Sequence, residues 1–267
     1  MIEIFATDDH RLDAFRWRER QLTTIAQRKA GLNAGQFIAE GDLVVQRALD
    51  AGCTPDTVLC DPKRASTFDS LVTQRGGQVY VASVEIRREV TGLGVPLDAI
   101  GLFNRPIAGR ARTLIETCRR LLVLDCIDNP SNVGAIIRTG VALGWDGVLL
   151  DLTSADPLSR RALRVSMGTA LKIPFARVED MANALAELGD RGVTTIGLTP
   201  ANSAIDISTV PIHSFERRAL VLGSERSGLS EATLARCLLH VSIPMVSGVD
   251  SLNVAAAAAV ACYALGG

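Results

Sequence analysis

The sequence predicts an α/β protein, and three observations lead to that prediction. Short apolar runs suited to strands alternate with segments of helical periodicity along most of the 267-residue chain. The run RLLVLDCID, which begins at Arg120, is apolar without alternation, as is typical of a strand buried on both faces of a parallel sheet. A hydrophobic content of 48% supports a well-packed core.

The first hundred residues predict a compact α/β domain. An opening helix through 11–30 is expected first. The elements expected after it are strands at 36–41, 57–60 and 78–83 and helices at 42–52, 66–75 and 84–90. Pro106, Gly109 and clustered arginines are typical of a linker. We therefore expect a first domain at 1–105, a linker at 106–119 and a second domain at 120–267.

The second half of the sequence predicts a parallel sheet. Strands are expected near 120–128, 146–150, 172–178, 193–199, 217–225 and 237–245, and helices near 133–143, 181–192 and 252–267. In open α/β sheets, ligands bind beyond the carboxyl ends of the strands. The loops that follow these strands are therefore the candidate site.

The charge of the chain is concentrated, although its net value is only −1. The windows 11–30, 105–120 and 158–177 hold sixteen of the 28 cations and three of the 29 acids. One such window alone suits a solvated surface, but three together favour a phosphate-binding footprint. The cations expected to bind phosphate are Arg16, Arg18, Arg20, Arg28, Lys29, Arg160, Arg161 and Arg164.

Several function classes are disfavoured by the sequence. The six cysteines and three histidines have no metal-ligand spacing, so we expect no metal site and no disulfide framework but reduced thiols in a cytoplasm. No run of about 18 apolar residues is present, so no membrane span is expected. A G-x-G-x-x-G fingerprint and a G-x-S-x-G elbow are also absent, which weighs against nicotinamide enzymes and α/β-hydrolases.

Three motifs follow expected strands: DNPSNVGAIIR from Asp128, LVLGSERSGLS from Leu220 and SIPMVSGVDSLN from Ser242. In the first, Ser131 or Asn132 suits a helix cap, and Arg138 on an otherwise apolar helix predicts an anionic partner. Glycines in the second allow a backbone to approach a ligand closely. Each motif alone also fits a structural role, as a cap or a turn.

Together the motifs resemble the signature of the SpoU-like (TrmH-type) RNA ribose methyltransferases of the SPOUT class. The matching strings are NPSNVGAIIRT, LVLGSERSGLS and IPMVSGVDSLNVA, with looser matches at RVSMGTALKIPF and FIAEGDLVVQRAL. Ala255 departs from the pattern, because many relatives carry Ser there. The resemblance covers most of the chain.

The resemblance implies an α/β fold in which a C-terminal parallel-sheet α/β-knot domain, with a deep trefoil knot, follows a smaller N-terminal α/β domain of the ribosomal-protein L30e-like type that binds RNA. It also implies a homodimer and the cofactor S-adenosyl-L-methionine. The reaction would be methyl transfer to a ribose 2′-hydroxyl in structured RNA, with ribosomal RNA (rRNA) expected rather than transfer RNA (tRNA). A tRNA methyltransferase and a catalytically silent RNA-binding protein are the alternatives.

Carried over by position, the resemblance also assigns residues. The catalytic set is Arg138, Asn132, Glu225, Ser251 and Asn253. The cofactor-binding set is Leu198, Thr199, Leu222, Gly223, Ser224, Ile243, Pro244, Met245, Ser251, Leu252 and Asn253. Arg138 is expected either to act as a base or to clamp an RNA phosphate, and the second role agrees better with a guanidinium, which stays protonated in proteins.

Overall fold

The computed structural model describes residues 1–24, 26–27, 35–92, 94–201, 203–246 and 251–266. The chain divides into two compact units. Unit 1 comprises Met1–Ile107 and Pro157–Lys172, and unit 2 comprises Ala108–Asp156 and Ile173–Gly267. The sequence had placed 157–172 in the second domain, so its membership of unit 1 is a difference that needs a physical reason.

Unit 1 is built on a five-stranded mixed sheet in the order β1-β4-β3-β5-β2. Its strands are β1 (Ile2–Ile4), β2 (Gln36–Glu40), β3 (Pro55–Cys60), β4 (Gln78–Ala82) and β5 (Ala99–Asn104). β1, β4 and β3 are parallel, whereas β5 is antiparallel to both β3 and β2. The helices are α1 (Asp13–Arg16), α2 (Glu19–Leu22), α3 (Asp42–Asp50), α4 (Pro62–Thr73) and α5 (Val84–Thr91).

Unit 2 is built on a seven-stranded sheet in the order β10-β12-β9-β11-β6-β7-β8, in which every strand pair is parallel. Its strands are β6 (Arg120–Leu124), β7 (Gly147–Leu150), β8 (Phe175–Arg177), β9 (Thr194–Leu198), β10 (Ile205–Asp206), β11 (Arg218–Leu222) and β12 (Leu239–Ser242). The predicted α/β fold with a parallel-sheet domain is confirmed.

The remaining helices, in chain order, are α6 (Ala111–Thr117), α7 (Pro130–Ala142), α8 (Arg160–Val165), α9 (Met181–Asp190), α10 (Glu231–Leu234) and α11 (Val254–Ala264). α8 belongs to unit 1 and the others to unit 2. α6 lies in the segment that was expected to be a linker. Its Leu114 and Ile115 are buried in the core of unit 2, which explains why the segment is helical despite its arginines.

The single opening helix expected at 11–30 is wrong over the described residues. A 3₁₀ turn (His10–Leu12) and the short α1 and α2 replace it, and Trp17 between the two helices is extended (φ −61°, ψ 142°). The carbonyls of Phe15 and Trp17 accept hydrogen bonds from the Arg160 guanidinium (2.7 and 2.9 Å). A continuous helix would have used those carbonyls for its own amides.

Glu40, at the end of β2, explains why 157–172 belongs to unit 1. Its side chain is only 1% exposed and forms ion pairs with Arg160 (3.1 Å) and Arg164 of α8. The Arg160 backbone N–H donates to the carboxylate of Glu19 (2.7 Å), which satisfies an unpaired donor at the start of α8. Two of the arginines expected to bind phosphate are therefore engaged inside the fold.

We predict that Glu40→Ala lowers the free energy of unfolding by about 3 kcal/mol, because it leaves two arginines beside a buried site without their anion. Chemical denaturation measures the loss. Glu116→Ala is the matched control, since its partners Arg112 and Arg191 are 76% and 33% exposed and such surface pairs contribute less than about 1 kcal/mol each. Equal losses in the two variants would show that the Glu40 pairs do not anchor α8.

Two further properties bear on the sequence predictions. All six cysteines are free, and burial raises the pKa of the Cys53 and Cys60 thiols to about 11 and that of Cys262 to about 12. Among the described residues, no helix combines the length and the apolar character needed to cross a bilayer.

Candidate active site

A cavity of about 500 Å³ lies in unit 2 where three neighbouring strands end. β12, β9 and β11 are adjacent and parallel, so their carboxyl ends share one edge of the sheet. The cavity is lined by Leu198, Thr199, Pro200, Ala201, Leu222, Gly223, Ser224, Glu225, Arg226, Ser227, Gly228, Leu229, Ile243, Met245, Ser251, Leu252, Val254 and Ala257. Its place in the sheet is the one at which open α/β folds bind ligands.

The loop after β11 folds tightly back on itself. The Gly228 N–H donates to the Ser224 carbonyl (2.9 Å), and the Ser224 hydroxyl contacts that of Ser227 (2.8 Å). Gly228 has φ +65°, in the left-handed region that favours glycine. A Cβ on Gly223 would lie 2.3 Å from the Gly228 carbonyl carbon and 2.4 Å from the Leu229 nitrogen. The close backbone contact therefore requires glycine at 223.

Asn253 joins three parts of the site. Its side-chain oxygen accepts the N–H groups of Ala255 and Ala256 and so caps α11. Its amide nitrogen donates to Glu225 of the β11 loop and to Asn132 of α7 (3.3 Å). Because one side chain makes all these contacts, the start of α11 is tied both to the cavity wall and to α7.

The loop after β11 is also fixed by the helix that follows it, α10, which is attached to the end of β6. The Thr233 hydroxyl of α10 donates to the buried Asp125 carboxylate (2.7 Å), and the Ser230 hydroxyl caps α10 by accepting the Thr233 N–H (3.0 Å). These bonds attach the chain that follows the Gly228 turn to the sheet. They position the loop without entering the cavity.

Asp125, Cys126 and Asp151 offer ligand atoms that lie within 4.8 Å of one another. The Asp151 carboxylate is already occupied, because it accepts the backbone N–H groups of Cys126 (2.9 Å), Thr153 (2.8 Å) and Ser154 (3.0 Å). Burial alone would raise the pKa of Asp151, but hydrogen bonds from Ser154 and Thr153 outweigh it and lower the pKa. The geometry fits a carboxylate that holds a turn together.

The structure brings most of the predicted site residues to one cavity. Of the predicted cofactor-binding set, Leu198, Thr199, Leu222, Gly223, Ser224, Ile243, Met245, Ser251 and Leu252 line it, as does the predicted catalytic Glu225. Pro244, Asn132, Arg138 and Asn253 are not among the lining residues. Asn132 and Asn253 are nevertheless connected to the cavity through Glu225.

Arg138 and the cap of α7 differ from the sequence expectations. The helix is capped by Asn129, whose side chain accepts the Ser131 N–H (2.9 Å), rather than by Ser131 or Asn132. Arg138 is exposed, whereas Ile136 and Ile137 before it are buried. Burial of the helix therefore gives no argument for an anionic partner of Arg138, because solvent reaches its side chain, and that partner stays a prediction.

Sequence reasoning missed several residues that line the cavity, namely Pro200, Ala201, Arg226, Ser227, Gly228, Leu229, Val254 and Ala257. Arg226 to Leu229 lie inside a motif that had been recognised, so the position of the loop was a usable signal for them. Pro200 and Ala201 follow β9, where no motif marks the segment. The resemblance had placed Leu198 and Thr199 at the start of this loop in the cofactor-binding set, and the sheet order shows that the rest of the loop also adjoins the other two.

Comparison with known proteins identifies the family. The family model described as the SpoU rRNA Methylase family matches residues 119–263. The chain belongs to this family. The match spans the sheet of unit 2 from just before β6 to almost the end of α11, and so includes all three cavity loops.

Individual relatives of this SpoU-family chain extend over both units. It is 36% identical over 259 residues to an uncharacterised tRNA/rRNA methyltransferase of Mycobacterium tuberculosis, covering 96% of this chain and 88% of the relative. It is 29% identical over 241 residues to a 23S rRNA (guanosine(2553)-2′-O)-methyltransferase of Bacillus subtilis, covering 90% and 92%. These matches support an RNA methyltransferase.

A solved structure resembles the fold of the whole chain. The crystal structure of an S-adenosylmethionine-bound rRNA methyltransferase from Sinorhizobium meliloti aligns with a TM-score of 0.84, covering 98% of this chain and 96% of that one. At 23% identity, the likeness concerns the fold.

We predict that Gly223→Ala lowers the free energy of unfolding by about 1–3 kcal/mol, because the added methyl group overlaps the backbone of Gly228. Hydrogen exchange at the amides of 224–229 should accelerate. Gly189→Ala in α9 is the control, since its Cβ would meet nothing within 4 Å, and it should be neutral or slightly stabilising. Unchanged exchange in Gly223→Ala would contradict the close contact.

We predict different losses for two substitutions of Asn253. Asn253→Ala removes the cap of α11 and should cost about 1 kcal/mol in the free energy of unfolding. Asn253→Asp keeps an acceptor for the Ala255 and Ala256 amides but sets a second carboxylate against Glu225. Its loss should therefore shrink as the pH is lowered and one carboxylate is protonated. Denaturation between pH 4 and pH 8 tests this, and a pH-independent loss in Asn253→Asp would exclude the contact with Glu225.

Proposed function

We propose that this protein transfers a methyl group from S-adenosyl-L-methionine to a ribose 2′-hydroxyl in structured RNA, with rRNA as the substrate. The observation that carries the proposal is that two separate family motifs supply the walls of one cavity at the ends of three adjacent parallel strands. The B. subtilis relative, named for 2′-O-methylation of 23S rRNA, supports the ribose hydroxyl and rRNA.

The cavity residues fit the cofactor. A volume of about 500 Å³ lies within the range of about 300–1,000 Å³ typical of small-molecule sites. Leu198, Leu222 and Ile243 offer apolar walls for an adenine ring, and Thr199 and Ser251 offer polar groups. Glu225 and Arg226 give the cavity one negative and one positive side chain. These charges are complementary to the ammonium and the carboxylate of the amino-acid part of the cofactor. When bound, the cofactor supplies an electrophilic methyl group.

The protein's own contribution is to position the reactants. Holding two reactants in the right orientation can lower the activation free energy by roughly 7–11 kcal/mol relative to a bimolecular encounter. In the proposal, the loops at the strand ends catalyse the reaction mainly by holding the cofactor and the RNA in this way. Glu225 is held by the Asn253 amide, which fixes the carboxylate at the cavity wall. In the proposal, Ser251 and Asn253 align the RNA hydroxyl, and Asn132 fixes the orientation of Asn253 from α7.

Arg138 is proposed to bind the RNA phosphate next to the target ribose and so orient the hydroxyl. Its exposure on the helix that presents Asn132 suits contact with a large substrate. A guanidinium forms paired hydrogen bonds to phosphate and stays protonated in proteins, so clamping fits its chemistry better than proton removal.

RNA contacts outside the cavity are proposed for the basic residues of unit 1. Arg16, Arg18, Arg20 and Arg161 are exposed, so phosphates can approach them. Arg160 and Arg164 contribute less, because both are paired with the buried Glu40. Arg28 and Lys29, also predicted to bind RNA, lie outside the described residues. We propose that unit 1, as a ribosomal-protein-like module, selects the site on the RNA.

A knotted chain and a homodimer complete the proposal. β9 and β10 are consecutive along the chain but flank β12, so their connection passes a later strand, as threading requires. α11 carries no charged residue, and its Val260 and Tyr263 are 42% and 78% exposed. Such exposed aromatic and aliphatic side chains are typical of subunit interfaces, which supports pairing of two copies through this helix.

We predict that Arg138→Ala lowers turnover at least about a hundredfold, the scale of one positioned catalytic group, while fold and cofactor affinity are kept. Labelled cofactor, an rRNA fragment and a tRNA are incubated with the protein, and the product nucleoside is identified after digestion. Arg112→Ala, which removes another exposed helix arginine of unit 2, is the control.

Each outcome of this assay decides between the alternatives. A 2′-O-methyl nucleoside from rRNA supports the proposal, and one from tRNA alone supports the tRNA alternative. Cofactor binding without transfer to either RNA would identify a silent RNA-binding protein. Near-normal turnover of Arg138→Ala would remove Arg138 from the mechanism but leave the reaction standing.

A further inference from the structure

A second cavity, of about 580 Å³, lies at the opposite end of β11 from the candidate active site. It is lined by Arg119, Arg120, Gly144, Asp146, Ile212, His213, Ser214, Phe215, Glu216 and Arg218. β11 begins at Arg218 and ends at Leu222, so the two cavities are separated by about 13 Å of strand at about 3.3 Å per residue. None of the motifs quoted in the sequence analysis includes a residue of this cavity.

Arg218 is the unusual residue of the second cavity. It is only 6% exposed, and its guanidinium donates to the carbonyls of Phe215 (3.1 Å) and Gly266 (2.6 Å). Its buried Nε has no hydrogen-bond partner among the described residues. A guanidinium has five N–H donors, so three remain after these two bonds. No carboxylate of the described residues lies within 4.0 Å of the Arg218 guanidinium.

A buried cation of this kind is costly unless an anion compensates it. The surroundings increase the cost, because burial, followed by the charges of Arg120 and Arg119, lowers the pKa of Arg218. The fold therefore concentrates positive charge at the amino ends of β6 and β11, and among the described residues it leaves the Nε of Arg218 without an acceptor.

The two carboxylates of the cavity, Asp146 and Glu216, are already engaged by Arg119 and Arg120 rather than by Arg218. Asp146 accepts the backbone N–H groups of Arg119 (2.9 Å) and Arg120 (3.0 Å). Glu216 is 84% exposed and pairs with the Arg119 side chain at 3.7 Å. Neither is an ion-pair partner of Arg218. The lining consequently has three arginines against two carboxylates, and the most buried arginine is the least compensated.

We propose that this cavity binds a phosphate group, with Arg218 at its base and Arg119 and Arg120 at its wall. Phosphate offers several acceptor oxygens to the fork of a guanidinium, and arginine is the residue that best matches that geometry. The volume admits a ligand as large as a nucleotide. A small phosphate ester or the backbone of an RNA can supply the group, and the site does not depend on the methyl-transfer proposal.

Inorganic pyrophosphate is the first probe, added to the full chain in chloride buffer of matched ionic strength, with thermal unfolding as the readout. A ligand that binds the native state raises the melting temperature in a saturable way. Arg218→Gln should weaken the apparent affinity at least tenfold. Arg119→Gln, at a 68% exposed position, should fold normally and weaken it at least threefold. Arg112→Gln, away from this cavity, should leave it unchanged.

A second arm separates the two sources of phosphate. If the ligand is a small ester, Arg218→Gln and Arg119→Gln lose pyrophosphate binding but keep the affinity for rRNA. If it is the RNA backbone, both affinities fall together. The proposal is overturned if pyrophosphate gives no saturable shift, or if Arg119→Gln responds as Arg112→Gln does. Should Arg218→Gln fail to fold, Arg119→Gln alone decides the matter.

Discussion

The candidate site depends on the parallel alignment of β12, β9 and β11. β9 lies between the other two, with Leu198 opposite Val241 and Gly197 opposite Val221, so all three strands end at nearly the same level. Because the strands run in one direction, three loops far apart in sequence meet at one edge. A shift of register by one residue would turn the alternating side chains to the opposite faces and separate these loops.

Within this frame, single polar contacts do the fine positioning. Asn253 caps a helix with its oxygen and holds a neighbouring loop and helix with its nitrogen. Thr233 attaches the other end of that loop to Asp125 at the end of β6. The glycine pair at 223 and 228 lets the loop close on itself. A rigid scaffold thus supports a site made almost wholly of loops, as catalytic sites on α/β folds usually are.

Local patterns predicted most strands, because a buried parallel strand such as β6 is an uninterrupted apolar run. β1 and β10 were missed because they are short, and β5 because Gly101 interrupts it. The exposure of Arg138 was available in the sequence, since Val133, Ile136, Ile137 and Gly140 mark the buried face of α7. The partner of Arg160 and Arg164 was not, because Glu40 lies at least 120 positions away.

The distance in sequence between Glu40 and its two arginines also has a consequence during synthesis on the ribosome. Glu40 emerges early, but the arginines that neutralise it belong to a segment flanked on both sides by unit 2. At about 5–20 residues per second, the ribosome needs roughly 6–24 s to make the intervening stretch. The amino-terminal half must therefore wait in an incomplete state, with its interior acid uncompensated, until the first two strands of the following sheet, β6 and β7, have been made.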